Sequence, residues 1–354
     1  MPVAAVRDSA NRIERLSGQG LDVSTFRGAA LDQIRSVMTV DAAFFATVDP
    51  ATLLFTSAYA DAPLAAATPL FLDNEYGQAD VNKFAGLARL SDPVGSLDRT
   101  ALGRAASSRY RQVLQPMGLG DEVRVALVSN QRCWGVLCLH RQDAAAGFDD
   151  TEIGFLRSIG PVLADGLRRG ILSSTAATQD ASSGAPGIVV LGPDMTVKST
   201  TAQAQRWLAD IVDTEWTASL ELPLPVYAAA ALASTQASPD DRPAMTRLRR
   251  ASGGWLTVHA APLHGEPDGR PDIVVVIEPT AASQHSSLLL AAYGLTPAQS
   301  RVVELVLQGR STRQIMAELH ISTHTVQEHL HVAFTKLGIG SRRELITMLS
   351  GQHH

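Results

Sequence analysis

Chemistry concentrates in one stretch, Ser311 to Gly338, STRQIMAELHISTHTVQEHLHVAFTKLG. Within it His324, Gln327, Glu328, His331 and Thr335 recur at helical spacing, so they share one side of a helix. All five can donate or accept hydrogen bonds. Val326, Leu330, Ala333 and Leu337 recur at i, i+4, i+7 and i+11 and form the buried stripe behind them. A packed back and a hydrogen-bonding front are what reading base edges in the major groove requires. An ordinary surface helix has the same two faces, so periodicity alone leaves both readings open.

The surrounding residues predict the elements that would hold this helix. Thr296-Pro297-Ala298-Gln299 supplies a capping Thr, a Pro at the first helical position and a Gln three residues after the cap. That helix packs through Val302, Leu305 and Val306 and stops at Gly309. Ser311 and Gln314 make a second capping box, before Ile315 and Leu319. His320-Ile321-Ser322 forms the turn, with Ser322 as cap, and Gly338 ends the reading helix. Ser341 and Glu344 open a last helix containing Leu345, Ile346, Met348 and Leu349. Local signals and global pattern agree on a small four-helix module.

The whole chain has 354 residues, enough for two or three domains, and its 45% hydrophobic and 18% charged content is globular. A net charge of −5 argues against a protein that coats nucleic acid without selectivity. No apolar run is long enough to span a membrane and no secretory signal is visible, so a cytoplasmic location is expected. Arginine supplies 27 of the 30 basic residues, with only Lys83, Lys198 and Lys336 as lysines, a bias that fits a GC-rich coding genome.

Upstream, residues 6–40 predict two helices, and residues 43–48 and 53–56 predict strands around an Asp49-Pro50 turn. Residues 61–110 are irregular. Residues 122–128 and 133–139 predict a hairpin. Asp149 and Glu152 cap a long helix, with a kink or break expected near Gly160 because of Pro161. This order, and the segment RCWGVLCLHR followed by GFDDTEIGFLRSIGPVLADGLRRG, resembles a GAF-type sensor domain over residues 8–170. Residues 171–186 are small and polar and read as a linker. Residues 187–280 order two strands, short helices and three strands, which resembles a PAS-like domain. On its edge Arg247, Arg249 and Arg250 read mainly as a solvated strand edge.

The segment LTPAQSRVVELVLQGRSTRQIMAELHISTHTVQEHLHVAFTKLGIGSRRELITML resembles the LuxR-type (GerE-type) helix-turn-helix of bacterial transcription regulators. Matching features are Leu295-Thr296-Pro297, Gly309, Ile315, Leu319, Ile321-Ser322, Thr325-Val326, His329, Lys336-Leu337-Gly338 and Ser341-Arg342. The expected fold is therefore multidomain α+β. A GAF-like α/β sensor and a PAS-like α/β domain would precede an all-α four-helix LuxR-type helix-turn-helix over residues 288–351.

The resemblance implies sequence-specific DNA binding and transcription regulation. It implies that Gln327, Glu328 and His331 reach base edges and that positions near Thr323, Thr325 and Lys336 reach phosphates; Arg313 suits a phosphate by its own chemistry, and His324 lies on the same front. It further implies a dimer formed through the last helix around Arg343, Leu345 and Met348, with half-sites roughly 10 bp apart. The expected partners are promoter DNA, a second copy of the chain, RNA polymerase and an unidentified small-molecule or protein signal. The alternative is a protein-interaction module in which DNA contact is incidental. Two departures stand out: Ala298-Gln299 replaces the usual Arg-Glu, and Gln327 replaces a frequent Lys. Residues 288–354 carry six basic side chains against four acidic, a balance of only +2, so non-specific affinity should be modest and salt-sensitive.

No nucleotide-binding, serine-hydrolase or zinc-protease motif occurs, and no enzyme activity is expected. No catalytic residue, cofactor or metal is expected either, since Cys133 and Cys138 alone make neither a disulfide framework nor a metal set. Strand alternation places Trp134, Cys138 and His140 on one face and Cys133, Gly135, Leu137 and Leu139 on the other. The ligand-binding residues of the sensor are not identified by sequence.

Overall fold

The computed structural model describes residues 3–101, 103–173, 184–211, 220–236, 243–263 and 271–350. Two helices, α1 (Val3–Gly18) and α2 (Val23–Arg35), lead into strands β1 (Ala42–Val48) and β2 (Phe55–Ala60). Short helices α3 (Ala62–Ala66), α4 (Thr68–Leu72) and α5 (Phe84–Leu87) follow, with β3 (Val94–Ser96). Two π-helical turns, Asp73–Gly77 and Tyr110–Leu114, lie in the same irregular segment. The hairpin β4 (Leu119–Ser129) and β5 (Arg132–Gln142) and the long helix α6 (Asp150–Ser173) complete the first unit.

Its sheet is antiparallel, ordered β2-β1-β5-β4-β3. The hairpin turns at Asn130 and Gln131, both at positive φ, as a tight turn matched to the strand twist requires. Asp149 and Glu152 form the expected reciprocal cap: Glu152 N–H donates to Asp149 at 2.8 Å and Asp149 N–H to Glu152 at 3.0 Å. The helix is not interrupted at Gly160. It runs as one 24-residue element with Pro161 inside it, because a continuous face from Ile153 to Ile171 is buried against the sheet and α1.

The face assignment of β5 needs correction. A register shift between Leu127 and Val128, opposite Gly135 and Cys133, marks a β-bulge. The extra residue reverses alternation across it. Trp134 therefore packs with Leu137 and Leu139 towards α1, α2 and α6, while Cys133 joins Val136 and Cys138 on the opposite side.

The second unit contains β6 (Gly187–Leu191), β7 (Val197–Thr200), α7 (Ala202–Ala209), α8 (Leu224–Ala233), β8 (Met245–Arg249), β9 (Trp255–Leu263) and β10 (Asp272–Pro279). Its antiparallel order is β7-β6-β10-β9-β8, the same path as the first sheet. Helix α8 is buried at nearly every position, as a helix apolar all round must be. It sits between this sheet and β2, α4 and the first π-helical turn, so the two units share one continuous core. Most of the expected linker lies outside the described residues.

Strand β8 is not a solvated edge. Arg247 is 4% exposed and its guanidinium holds both carboxylate oxygens of Asp49 at 2.7 Å. The first unit covers that edge, which replaces water as the partner of the arginine. No described helix is long and apolar enough to cross a membrane.

The last part is helical: α9 (Ala282–Ala292), α10 (Pro297–Leu307), α11 (Thr312–Leu319), α12 (Thr323–Leu337) and α13 (Arg342–Ser350). Leu290, Leu295, Val302, Val303, Ile315, Val326, Ala333, Leu337 and Leu345 are among its core residues. Helix α9 is the bridge: Leu288, Ala291 and Ala292 pack with the α6 side of the first unit, while Leu289 and Leu290 belong to the helical core.

Candidate nucleic-acid interface

The helices that position α12 begin as their sequence signals predict. Thr296 with Gln299, and Ser311 with Gln314, form two complete capping boxes. Glu344 N–H donates to Ser341 Oγ at 3.2 Å before α13. Gly309 and Gly338 adopt φ of 79° and 69° at helix ends, where a side chain would be strained. Between α11 and α12 the chain turns through His320, a non-glycine residue at φ 54°.

Ser322 fixes the start of α12: its Oγ accepts the Thr325 N–H at 3.1 Å and hydrogen-bonds Thr325 Oγ1 at 2.9 Å. Thr323 Oγ1 donates to Met316 Sδ at 2.9 Å, tying α12 back to α11. Val326, Ala333 and Leu337 bury the back of α12. On the front, His324, Gln327, Glu328 and His331 are exposed. Their side chains have no hydrogen-bond or ion-pair partner among the described residues. Thr335 differs, because its hydroxyl donates to the His331 carbonyl at 3.0 Å.

The cations divide into engaged and open ones. Lys336 donates to the Gly294 carbonyl at 2.8 Å and to Gln299 Oε1 at 3.0 Å, linking α12 to the start of α10. Arg301 and Arg310 both face Glu318, at 3.2 and 3.8 Å. Arg313 and Arg343 are exposed and have no ion-pair partner among the described residues. Thr323, Thr325 and Lys336 thus already serve the module's own architecture, whereas Arg313 is open to an anion.

On α13 the side chains separate differently from the sequence expectation. Leu345 is fully buried in the helical core and supports α13 from inside, so it is not a surface residue. Met348 is half-buried and Arg343 exposed. The apolar surface residue is Ile346, 39% exposed, which sequence reasoning did not single out as an interface residue. Ile346 and Leu349 line a cleft of about 490 Å³ with Met245, Arg247, Gln284 and Glu304, where all three parts of the chain meet. Away from this interface, the first unit brings Glu122, Cys138 and His140 together in its interior, a donor set the sequence did not reveal.

A capped α11–turn–α12 pair, seated on a small helical core, defines a helix-turn-helix protein with two upstream antiparallel α/β units. Residues 294–349 match the family described as bacterial regulatory proteins, luxR family, and residues 28–166 match the GAF domain. A putative HTH-type transcriptional regulator of Aeromonas salmonicida is 30% identical over 146 residues, covering 38% of this chain and 73% of that protein. The spore germination protein GerE of Bacillus subtilis is 38% identical over 55 residues, covering 16% of this chain and 74% of that protein. The chain belongs to the luxR family of bacterial regulatory proteins.

A putative HTH-type transcriptional regulator of Mycobacterium bovis is 44% identical over 52 residues, 15% of this chain, but the match spans only 6% of that protein. The solved structure of the phage VqmA–DPO complex aligns at 15% identity over 47% of this chain and 81% of that chain. Its TM-score of 0.23 is too low to define a shared fold.

Proposed function

We propose that the chain is a sequence-specific DNA-binding transcription regulator that reads a promoter through α12, as a homodimer, under the control of a signal received upstream. The observation that carries this reading is the front of α12. His324, Gln327, Glu328 and His331 stand exposed without internal partners on a helix whose back is packed and whose start is capped. Gln327 can pair bidentately with N6 and N7 of an adenine, and Glu328 can accept from cytosine N4. Arg313 supplies a phosphate contact from α11. The dimer surface on α13 is Arg343, Ile346 and Met348.

The middle unit is a PAS-like domain in this reading, supported by its strand order and by helices placed between its second and third strands. Signal control is supported by the seating of α9 and α13. A change in either upstream unit would alter the surface on which the reading module rests. The first test is titration of the full chain on mixed-sequence duplex DNA. Binding is expected at about 50 mM salt and should weaken steeply by about 200 mM. No binding at the lower salt would overturn the proposal.

A further inference from the structure

We propose that Glu122, Cys138 and His140 form a site for a single thiophilic metal ion, with Cu⁺ the best fit. The three residues lie on the paired strands β4 and β5, where Glu122 is directly opposite His140. One donor atom from each lies within 4.8 Å of the other two. All three side chains are buried.

One orphaned atom, on His140, points to an occupant. Glu122 Oε2 accepts from Arg109 Nε at 2.9 Å and from its Nη2 at 2.6 Å, while Glu122 Oε1, which makes no hydrogen bond, faces Arg124 Nε at 3.6 Å. His140 Nδ1 is buried with no hydrogen bond. Buried polar atoms in folded proteins are rarely left this way. Both residues line a cavity of about 10 Å³ with Phe44, Leu64 and Leu114. That is room for one water-sized body and nothing larger.

The donor chemistry suits an ion. His140 Nδ1 is engaged by no other group, so a neutral imidazole has a lone pair to offer there. Cys138 is a free, buried thiol. On binding, the Sγ–H bond breaks, an Sγ–metal bond forms and the proton leaves to solvent; no oxidation state changes. Arg109 holds Glu122 from behind, as an outer-shell partner does. Arg124 Nε lies 3.4 Å from Cys138 Sγ and its Nη2 2.9 Å from Glu75, placing a positive charge beside the thiolate.

Charge selects the ion. In the ion-pair network that contains Glu122, the acids Glu75, Asp80 and Glu122 stand against Arg109, Arg124 and Lys83, three against three. Exchanging one thiol proton for a monovalent ion preserves that balance. A divalent ion would leave one uncompensated positive charge in a dry site, which is costly. Thiolate and imidazole are also donors that suit Cu⁺. This inference concerns the first unit and stands independently of what α12 reads.

The test uses the full chain, reduced and oxygen-free, incubated with Cu⁺ or with Zn²⁺ against a competing chelator and then desalted. One equivalent of Cu⁺ should remain, held at least tenfold more tightly than Zn²⁺. Cys138→Ser should lower Cu⁺ affinity at least tenfold, while Cys133→Ser retains it. If Cys138→Ser fails to fold, X-ray absorption of the wild-type copper complex decides: one sulfur with nitrogen or oxygen donors is expected. No retained copper, Zn²⁺ held as tightly, full retention in a folded Cys138→Ser, or a copper shell lacking sulfur would each overturn the proposal.

Discussion

Arg247 grips Asp49 across the boundary between the two α/β units, with its Nε and one Nη each 2.7 Å from a different carboxylate oxygen. Its other Nη donates to the Gln284 carbonyl at 2.7 Å, at the start of the helix leading to the reading module. One side chain therefore touches all three parts of the protein. Removing one partner of a buried ion pair leaves a bare charge, so Asp49→Ala should destabilise the chain by about 3–5 kcal/mol. The double variant Asp49→Ala/Arg247→Met should recover part of that loss. Urea unfolding of the two variants and the wild type checks both statements; equal loss in single and double variants would contradict them.

His285 gives the same junction a pH dependence. Burial and then the neighbouring Arg247 charge hold its pKa below the ordinary 6.5. Arg247 from β8 is the charged group facing it, and the Trp255 ring from β9 lies 6.1 Å away. The folded state thus keeps His285 neutral where the unfolded chain takes up a proton. Its contribution to stability is complete above about pH 6.5 and is lost as pH falls through the lower folded value. Unfolding free energies should decline more between about pH 7.5 and 5.5 for the wild type than for His285→Gln.

Cap residues set the geometry of α12 without reaching its front. Ser322→Ala should cost about 1 kcal/mol of stability, because the Thr325 N–H loses its acceptor. Lys336→Ala should also lower stability, by about 1 kcal/mol or less, since its two hydrogen bonds, to Gly294 and to Gln299 of α10, are exposed. Calorimetry of both variants checks these values. An unchanged melting temperature in Ser322→Ala would contradict the role assigned to that cap.

On α13, Leu345→Ala should cost about 2–5 kcal/mol because it opens a cavity in the helical core. Ile346→Ala should change monomer stability by no more than about 0.5 kcal/mol. It should instead weaken self-association on DNA, read by analytical ultracentrifugation of the protein–DNA complex. A stability loss for Ile346→Ala as large as that for Leu345→Ala would contradict the division between core and surface.

The helical module was the most legible part of the chain. Its Ser, Thr, Gln and Gly signals act within four residues, and Thr296, Ser311, Ser322 and Gly338 each appear where those local rules put them. The hairpin and the Asp149 cap were legible for the same reason. What sequence could not convey depends on residues far apart. The bulge that moves Trp134 to the other face is set by pairing with β4. The burial of Arg247 depends on Asp49, 198 positions away. Leu345 and Ile346 are neighbours of similar type, and only the packed core separates their roles. Glu122 faces Cys138 and His140 only once two strands are in register.

The central claim is that the front of α12 selects DNA sequence. Its most direct test is selection of binding sites from random duplex DNA by the full chain, followed by the same selection with Gln327→Ala and His331→Ala. The wild type should enrich a two-fold symmetric site with half-sites about one helical turn apart. Gln327→Ala should relax preference at one base pair per half-site by about 1–3 kcal/mol while leaving the others in place. If the variants enrich the same site with the same preference at every position, the front of α12 does not read DNA.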